Sequence, residues 1–492
     1  MNILLIYPEF PDTFWSFRYA LRFIRKKAVS PPLGLLTVAA MLPQEWSMRI
    51  VDLNVTSLGD KDLAWADYAF VSAMQVQRES TLRVIDRCNR AGVKVVAGGP
   101  LFSSDIEHPA GVESFVLNEA ELTLPQFLED LQLGSLKQVY TTDEFADLSG
   151  SPVPLWNLAD MKHYDTMSLQ FSRGCPYQCE FCNVTVLLGH RPRTKQAAQV
   201  IAELDSLYAT GWRGNVFFVD DNFIGNKKVL KEEVLPALIA WRRGKSGLPF
   251  NTEVSINLAD DEELLHLMAE AGFDTVFVGI ETPDEESLAE CHKFQNRNRD
   301  LAASVRHIQR AGVRVQAGFI VGFDSDTPSI FQRQIDFIQK TGIVTAMVGL
   351  LQAPYGTPLY RRLKREGRLR KTMSGDNVDG STNIIPKMDM ATLREGYRKI
   401  LRSIYAPEVY YQRVRSFLRD YRPPKIKTRL ELQHLLAFLR SIYLLGIKGV
   451  ERVQYWRLVL WTLLRRPRAF PLAMTLAIYG YHFRKVNELH VQ

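Results

Sequence analysis

Ser172-Arg173-Gly174-Cys175-Pro176-Tyr177-Gln178-Cys179-Glu180-Phe181-Cys182-Asn183 is the stretch on which the fold is read. It directly follows an apolar run, Ser168–Phe171, that reads as a strand. Three of the chain's five cysteines fall here, at spacing C-x3-C-x2-C. Three thiolates so spaced can wrap one face of a compact cluster, and thiolates are the usual protein ligands of iron–sulfur clusters. A four-iron cube held by three cysteines keeps one iron without a protein ligand, and that iron is a binding site. A structural zinc site is the competing reading. It wants four ligands, and the nearest candidate fourth is His190.

Towards the C-terminus, strand-like runs recur at Asn215–Asp220, Asn251–Ile256, Thr275–Ile280, Arg314–Val321 and Thr345–Leu350. Helical patterns such as Ala197–Thr210, Glu262–Ala271 and Leu301–Ala311 separate them. Six βα units predict a partial (β/α) barrel over residues 167–370, whose site forms at the C-terminal strand ends. Towards the N-terminus, residues 1–140 alternate strands (Asn2–Tyr7, Met48–Val51, Tyr68–Ala73, Lys94–Ala97, Ser114–Leu117) with helices (Leu33–Met41, Ser80–Arg90). That alternation predicts a doubly wound parallel sheet, with ligands beyond its carboxyl ends. Residues 141–166 read as a linker, polar at Thr141–Glu144 and broken by Pro152 and Pro154. Beyond about residue 370 the strand signal stops. Residues 371–492 read as helices interrupted at Pro407, Pro423-Pro424, Pro467 and Pro471.

A chain of 492 residues exceeds one core, and its composition is that of a globular protein. Five cysteines argue against a secreted disulfide scaffold. Met1–Pro8 has no basic n-region or cleavage site, and the nearest approach to a spanning segment, Ala469–Phe483, is short and contains Pro471. The expected location is the cytoplasm. The net charge of +7 resides in the tail: from Arg422 onward there are 13 Lys/Arg against 3 Asp/Glu. Trp456 and Trp461 interleave with these cations, and Leu435, Phe438, Leu439, Ile442 and Leu445 form a helical stripe. Either the tail meets an anionic membrane surface, or it caps the barrel with a solvated basic face. No nucleic-acid module is recognisable.

Arg173-Gly174-Cys175-x3-Cys179-x2-Cys182 resembles the radical S-adenosylmethionine (SAM) superfamily. The resemblance implies a [4Fe-4S] cluster on Cys175, Cys179 and Cys182 whose open iron chelates SAM. One electron, from a donor such as flavodoxin or ferredoxin, would then cleave SAM to a deoxyadenosyl radical. Phe181 would pack near the adenine. The segments around Asp220 (Phe218–Phe223), Glu281 (Val278–Thr282, reaching the ribose in relatives), Gly322 (Phe319–Asp324, an adenine contact) and Gln352–Leu359 are similar to the family's later strand ends, and the likeness implies cofactor contacts at Asp220, Glu281 and Gly322. Each alone is ordinary loop chemistry, Gly for turns and Asp for capping. In this order they support the barrel.

Ser72-Ala73-Met74 and Gly98-Gly99-Pro100 follow adjacent strands of the first domain. Small residues there let a flat, bulky ligand approach the backbone, and ordinary βα turns use them too. A doubly wound domain before such a barrel resembles the cobalamin-binding radical SAM enzymes. That likeness implies cobalamin contacts at Ser72, Gly98, Gly99 and Pro100. Asn118-Glu119-Ala120-Glu121 stands where relatives show Gly-Glu-x-Glu, and Pro31–Leu35 matches their first helix entry. Many other cobalamin domains supply a His to cobalt from an Asp-x-His loop. This chain has Asp52-Leu53-Asn54 and no His before His108.

Tyr7–Trp15 and Pro31–Ala40 look like the hopanoid C-2 methylase subfamily, which shares a helical C-terminal domain. The fold implied is α/β: a Rossmann-like cobalamin-type domain, a partial (β/α)6 radical SAM barrel, then an α-helical domain. The function implied is a cobalamin-dependent radical SAM methylase acting on an unactivated carbon of a small molecule, hopanoid-like choices being a lipid or terpenoid. A non-methylating radical SAM enzyme (ring contraction or cyclisation) and a cobalamin- or SAM-binding regulator are the alternatives. Cys88 reads as packed core. Cys291 reads as a helix-end residue, with a redox or ligand role as its alternative.

Overall fold

The structure is a computed structural model that describes residues 1–104, 108–370, 373–422 and 432–490. Among them, two six-stranded parallel sheets carry the architecture. The first comprises β1 (Asn2–Tyr7), β2 (Ser47–Asp52), β3 (Tyr68–Ser72), β4 (Lys94–Gly98), β5 (Ser114–Val116) and β6 (Val139–Tyr140), in the order β2-β1-β3-β4-β5-β6. Helices cover both faces, so the centre of β1, residues 3–6, is apolar throughout. Ile3 and Leu5 enter one core while Leu4 and Ile6 enter the other. The strand order reverses between β1 and β3, which opens a crevice at their carboxyl ends.

The second sheet comprises β7 (Thr166–Leu169), β10 (Asn215–Phe218), β11 (Phe250–Val254), β12 (Phe273–Glu281), β13 (Arg314–Val321) and β14 (Ala346–Leu350), in chain order from one edge to the other. Between β7 and β10, β8 (Ser172–Arg173) and β9 (Arg193–Thr194) form an antiparallel pair around the cysteine loop. Phe319 faces the covering helix Ser329–Thr341, 6.0 Å from Phe337. Phe277, Gly318 and Met347 face the other way, into the concave side. A Cβ at Gly318 would lie 2.9 Å from the Phe277 ring.

The eleven strands expected from the sequence are present within a residue or two at their ends, and the structure adds Val139–Tyr140 and the short pair Ser172–Arg173 and Arg193–Thr194. Arg314–Val321 and Glu262–Ala271 have the expected bounds. Asp261 caps the latter through the Leu264 amide, and Gly272 ends it in the left-handed region. Residues 141–166 are anchored along the domain junction rather than slack: the Ala146 amide donates to Glu119 at 2.6 Å and the Leu155 amide to the Leu36 carbonyl. Helices Met390–Ile404, Pro407–Asp420, Leu432–Ser441, Arg452–Arg465 and Phe470–His490 form the C-terminal part. Pro407 begins a helix and Pro471 lies in the first turn of another. The break expected at Pro423-Pro424 lies outside the described residues.

One segment crosses these divisions. Residues 14–24 leave the first sheet after β1 and pack into the core of the barrel and C-terminal helices. Trp15 reaches the concave face, its indole donating to Met347 Sδ at 3.0 Å and its ring edge-on to Phe277 at 5.4 Å. Phe14 stacks on Phe483, and His482 Nε2 donates to the Phe14 carbonyl at 3.0 Å. Burial pushes His482 down from 6.5 to about 4. The folded state resists protonation there, so its stability is full above about pH 6.5 and falls as pH drops towards 4. At about 1.4 kcal/mol per unit this amounts to roughly 3 kcal/mol. His482→Gln keeps a donor but has no proton to take up. Thermal melts between pH 6.5 and 4 should therefore decline less steeply for the variant than for the parent chain.

Candidate active site at the facing strand ends

The cysteine loop leaves β7 through a turn built by Asp220. Its carboxylate accepts from the Phe171 amide at 3.0 Å, from the Ser172 amide, and from Ser172 Oγ at 2.6 Å. Both oxygens are thus engaged beneath the loop, and burial raises Asp220 to about 7. Asp220, expected from the family likeness to touch a cofactor, here shapes the loop that carries the thiols. Gly174 is required at φ +91°: a Cβ there would lie 2.7 Å from the Arg191 carbonyl and 2.9 Å from that of Leu188.

The three thiols each have a distinct polar neighbour. Asn222 Nδ2 donates to Cys175 Sγ at 3.8 Å, and Gln295 Nε2 to Cys179 Sγ at 3.7 Å. Lys293 lies close enough to Cys179 and Cys182 for their charges to raise its pKa. Burial opposes the ammonium, but Glu281 at 2.7 Å and those two sulfurs outweigh it. Burial pushes the Cys182 thiol up to about 12 and raises Cys175 as well. Loading metal on these groups therefore releases protons. Amide donors aimed at sulfur and a buried cation are what an anionic thiolate cluster needs around it. His190, the candidate fourth zinc ligand, is exposed. Among the described residues, no three His, Cys, Asp or Glu side chains converge on one metal ion. A cube, by contrast, offers each thiolate a separate corner.

Glu281 ends β12 with φ +63°, where the register with β13 shifts. A Cβ at Gly279 would run into both Glu281 Oε1 and Lys293 Nζ, so this pair sits directly over the backbone. Glu253 and Asp221 face the same space. Burial, then the Asp221 charge, lifts Glu253 to about 8, and burial lifts Asp221 to about 6. Phe181 packs against Phe323, 6.3 Å between centroids, beside Gly322 at φ +106°. Phe181 and Glu281 thus border the thiols, and Gly322 adjoins Phe323, the ring against which Phe181 packs. Trp15, Phe277 and Met347 provide its apolar floor.

In the first sheet, Ser72 pairs in register with Gly98. A Cβ on Gly99 (φ +89°) would lie 2.6 Å from Ser72 Oγ, and one on Gly98 2.7 Å from the Val116 carbonyl. Pro100 starts the short helix that follows. The strand ends are therefore bare backbone with Pro100 and Met74 exposed beside them. Asn54 is engaged elsewhere: it accepts from the Phe10 amide and donates to the Pro8 carbonyl and Asp52. It fixes the chain after β1 rather than reaching towards a ligand.

Two ties bring the carboxyl ends of both sheets together. Arg173, two residues before Cys175, donates to Glu119 at 3.0 Å and to Glu121 at 2.8 Å; Arg193 binds Glu119 at 2.8 Å. On the opposite side, Gln75 donates to the Met373 carbonyl, and a Cβ on Gly375 would touch the Val76 amide at 2.7 Å. The same strap places the Asn377 carbonyl against Gly349 at the end of β14. Cys291 is buried at a helix end with Sγ against the Leu288 carbonyl, and its own carbonyl accepts from Glu180. Cys88 is wholly buried core, its thiol raised to about 11 by burial.

The spacing of the cysteines identified the loop, but nothing in the sequence singled out Lys293, Gln295, Asn222, Glu253 or Trp15 as its surroundings. Asn222 lay inside a quoted segment without a role. Lys293 followed Cys291 closely, and that proximity was the only available signal.

Residues 169–338 match the radical SAM superfamily, and residues 357–492 a domain of unknown function, DUF4070. An uncharacterized methyltransferase of Synechocystis sp. is 42% identical over 99% of this chain and 92% of its own length. The hopanoid C-2 methylase of Rhodopseudomonas palustris is 34% identical over 94% of this chain and 90% of its own. Two solved structures share the fold at 16% identity. The cobalamin-dependent S-adenosylmethionine radical enzyme OxsB with aqua-cobalamin has a TM-score of 0.64 over 99% of this chain and 84% of that one. The radical SAM methyltransferase TsrM from Kitasatospora setae, with cobalamin and a [4Fe-4S] cluster, has 0.63 over 100% of both.

Proposed function

We propose, from the premise that this chain belongs to the radical SAM methyltransferase family that includes the hopanoid C-2 methylase, that it is a cobalamin-dependent methylase of an unactivated carbon in a lipid or terpenoid. The observation that carries the reading is the junction itself. The loop that carries three thiols with amide and ammonium partners is tied through Arg173 to the carboxyl end of a doubly wound sheet, and Gln75 beyond β3 of that sheet is tied to Met373. Cys175, Cys179 and Cys182 would hold the cluster, Phe181, Glu281 and Gly322 would border SAM, and Ser72, Gly98, Gly99 and Pro100 would cradle cobalamin. Bound there, cluster and SAM supply radical chemistry with an electron from a flavodoxin- or ferredoxin-type donor, and cobalamin carries the methyl group.

The chain's own residues hold the reactants. Lys293 and Glu281 place a fixed charge pair beside the thiols. Trp15, Phe277 and Met347 offer an apolar floor suited to a hydrocarbon substrate. Arg173 couples the position of the cysteine loop to the first sheet, and a misplacement of about 1 Å can cost such reactions roughly a hundredfold.

Protein reconstituted with iron and cobalamin and given SAM and dithionite should form both S-adenosylhomocysteine and 5′-deoxyadenosine with its substrate. Deoxyadenosine alone would favour the non-methylating reading. A deletion strain compared with its parent should lose metabolites heavier by one methyl group. Gly99→Val should lower cobalamin retention by about tenfold or more, because the side chain enters Ser72 at a positive φ that costs about 1–3 kcal/mol. Cobalt content should fall while iron content stays unchanged.

A further inference from the structure

The helix Arg452–Arg465 is apolar on both sides. Tyr455, Leu458 and Val459 are buried against the rest of the protein, while Val453, Trp456, Leu460, Leu463 and Leu464 face outward. Leu464 is 81% exposed. A contiguous outward apolar stripe rimmed by polar residues marks an interaction surface. The preceding helical segment does the same with Leu435, Leu439, Tyr443 and Ile447, and Val450, 82% exposed, lies between the two. The Trp456 indole donates to the Gly446 carbonyl at 3.0 Å, which joins the two outward stripes at Tyr443–Ile447. The stripe expected from sequence is thus divided: Leu445 points inward, whereas Leu435 and Leu439 point outward.

The charge around this face has one sign. Residues 432–470 contain seven Lys/Arg and a single acid, Glu451. Glu451 is buried and paired with Arg484, so it offers nothing outward. Lys448, Arg452, Arg457, Arg465 and Arg468 are exposed around the apolar stripe. A second copy of the chain would bring these cations against themselves. An anionic surface would neutralise them while the leucines and Trp456 enter its apolar boundary. No helix of the described residues is long and apolar enough to cross a membrane, so such contact is from one side.

We infer that the outward face of residues 432–468 docks this protein on an anionic lipid bilayer. The full chain should float with phosphatidylcholine vesicles that contain phosphatidylglycerol and much less with phosphatidylcholine alone, and added salt should weaken the binding. Leu460→Glu with Leu464→Glu should abolish flotation with iron content and thermal midpoint unchanged. Arg457→Gln and Arg465→Gln should each weaken it about fivefold, a second readout should the leucine variant not fold. The inference is overturned if the parent chain does not float, or if the variants float as it does. It is also overturned if the parent chain is a dimer, without vesicle binding, that Leu460→Glu with Leu464→Glu converts to monomer.

Discussion

Cys179→Ala is expected to emerge from anaerobic reconstitution with its iron and broad visible absorbance reduced to background, and to form no 5′-deoxyadenosine from SAM. Cys179 is a buried residue and its sulfur receives the Gln295 amide. Two remaining cysteines cannot hold a cube at three corners, and SAM then has no open iron at this place. Cys291→Ser is the discriminating control. Cys291 is also buried and stands two residues before Lys293, but its sulfur faces the Leu288 carbonyl. It should retain iron. If Cys291→Ser loses iron as completely as Cys179→Ala, or Cys179→Ala keeps it, the ligand assignment is wrong.

Arg173→Ala is expected to loosen the whole junction. The guanidinium and both its carboxylate partners are nearly excluded from water, with side-chain exposures of 12%, 3% and 11%. Removing one partner of such a group leaves buried charge uncompensated, at a cost of about 3–5 kcal/mol. Arg193 still contacts Glu119, so Glu121 is the group left without a cation. Burial alone would raise Glu121, but the Arg173 bonds and charge overcome it and hold the carboxyl near 2, against an ordinary 4.5. The pair therefore stabilises the fold fully above about pH 4.5, and that stabilisation is lost as pH falls towards 2. The variant should melt at lower temperature at neutral pH and show a flatter acid limb. Because Arg173 stands two residues before Cys175, iron retention should also fall. Arg173→Lys should recover part of the stability, since it restores charge without the two-pronged geometry. A double-mutant cycle with Glu121→Gln should show strong coupling, and additive effects would remove the tie.

Much of the scaffold was legible because it depends on neighbours in the chain. The runs that became β10 to β14 are apolar and bounded by Gly or polar turns, and helix caps such as Asp261 act within three residues. Ser72, Gly98 and Gly99 were legible as places of close backbone approach. The structure adds that the chain's own atoms, Ser72 Oγ and the Val116 carbonyl, already demand glycine there. Asp220 and Asn54 show the limit. The family likeness implies a cofactor contact at Asp220, and Asn54 stands in the look-alike of a loop from which many other cobalamin domains supply a His; the structure shows the hydrogen bonds by which each holds its own loop. Short polar side chains at strand ends serve either purpose, and only the positions of Phe171, Ser172, Pro8 and Phe10 decide which.

The C-x3-C-x2-C loop and the βα alternation around it are determined by the sequence alone, because eight residues suffice to gather three thiols and periodicity needs only adjacent turns. The surroundings of that loop were decided by tertiary structure. Lys293 and Gln295 come from beyond β12, Trp15 arrives from the far end of the chain, and Glu119 and Glu121 from the other sheet. A buried charge is tolerable only beside its partner, and these partners are brought together by packing over separations of tens to hundreds of residues. The outward leucines of the C-terminal helices follow the same rule: an apolar residue reads identically in sequence whether its face is covered or bare.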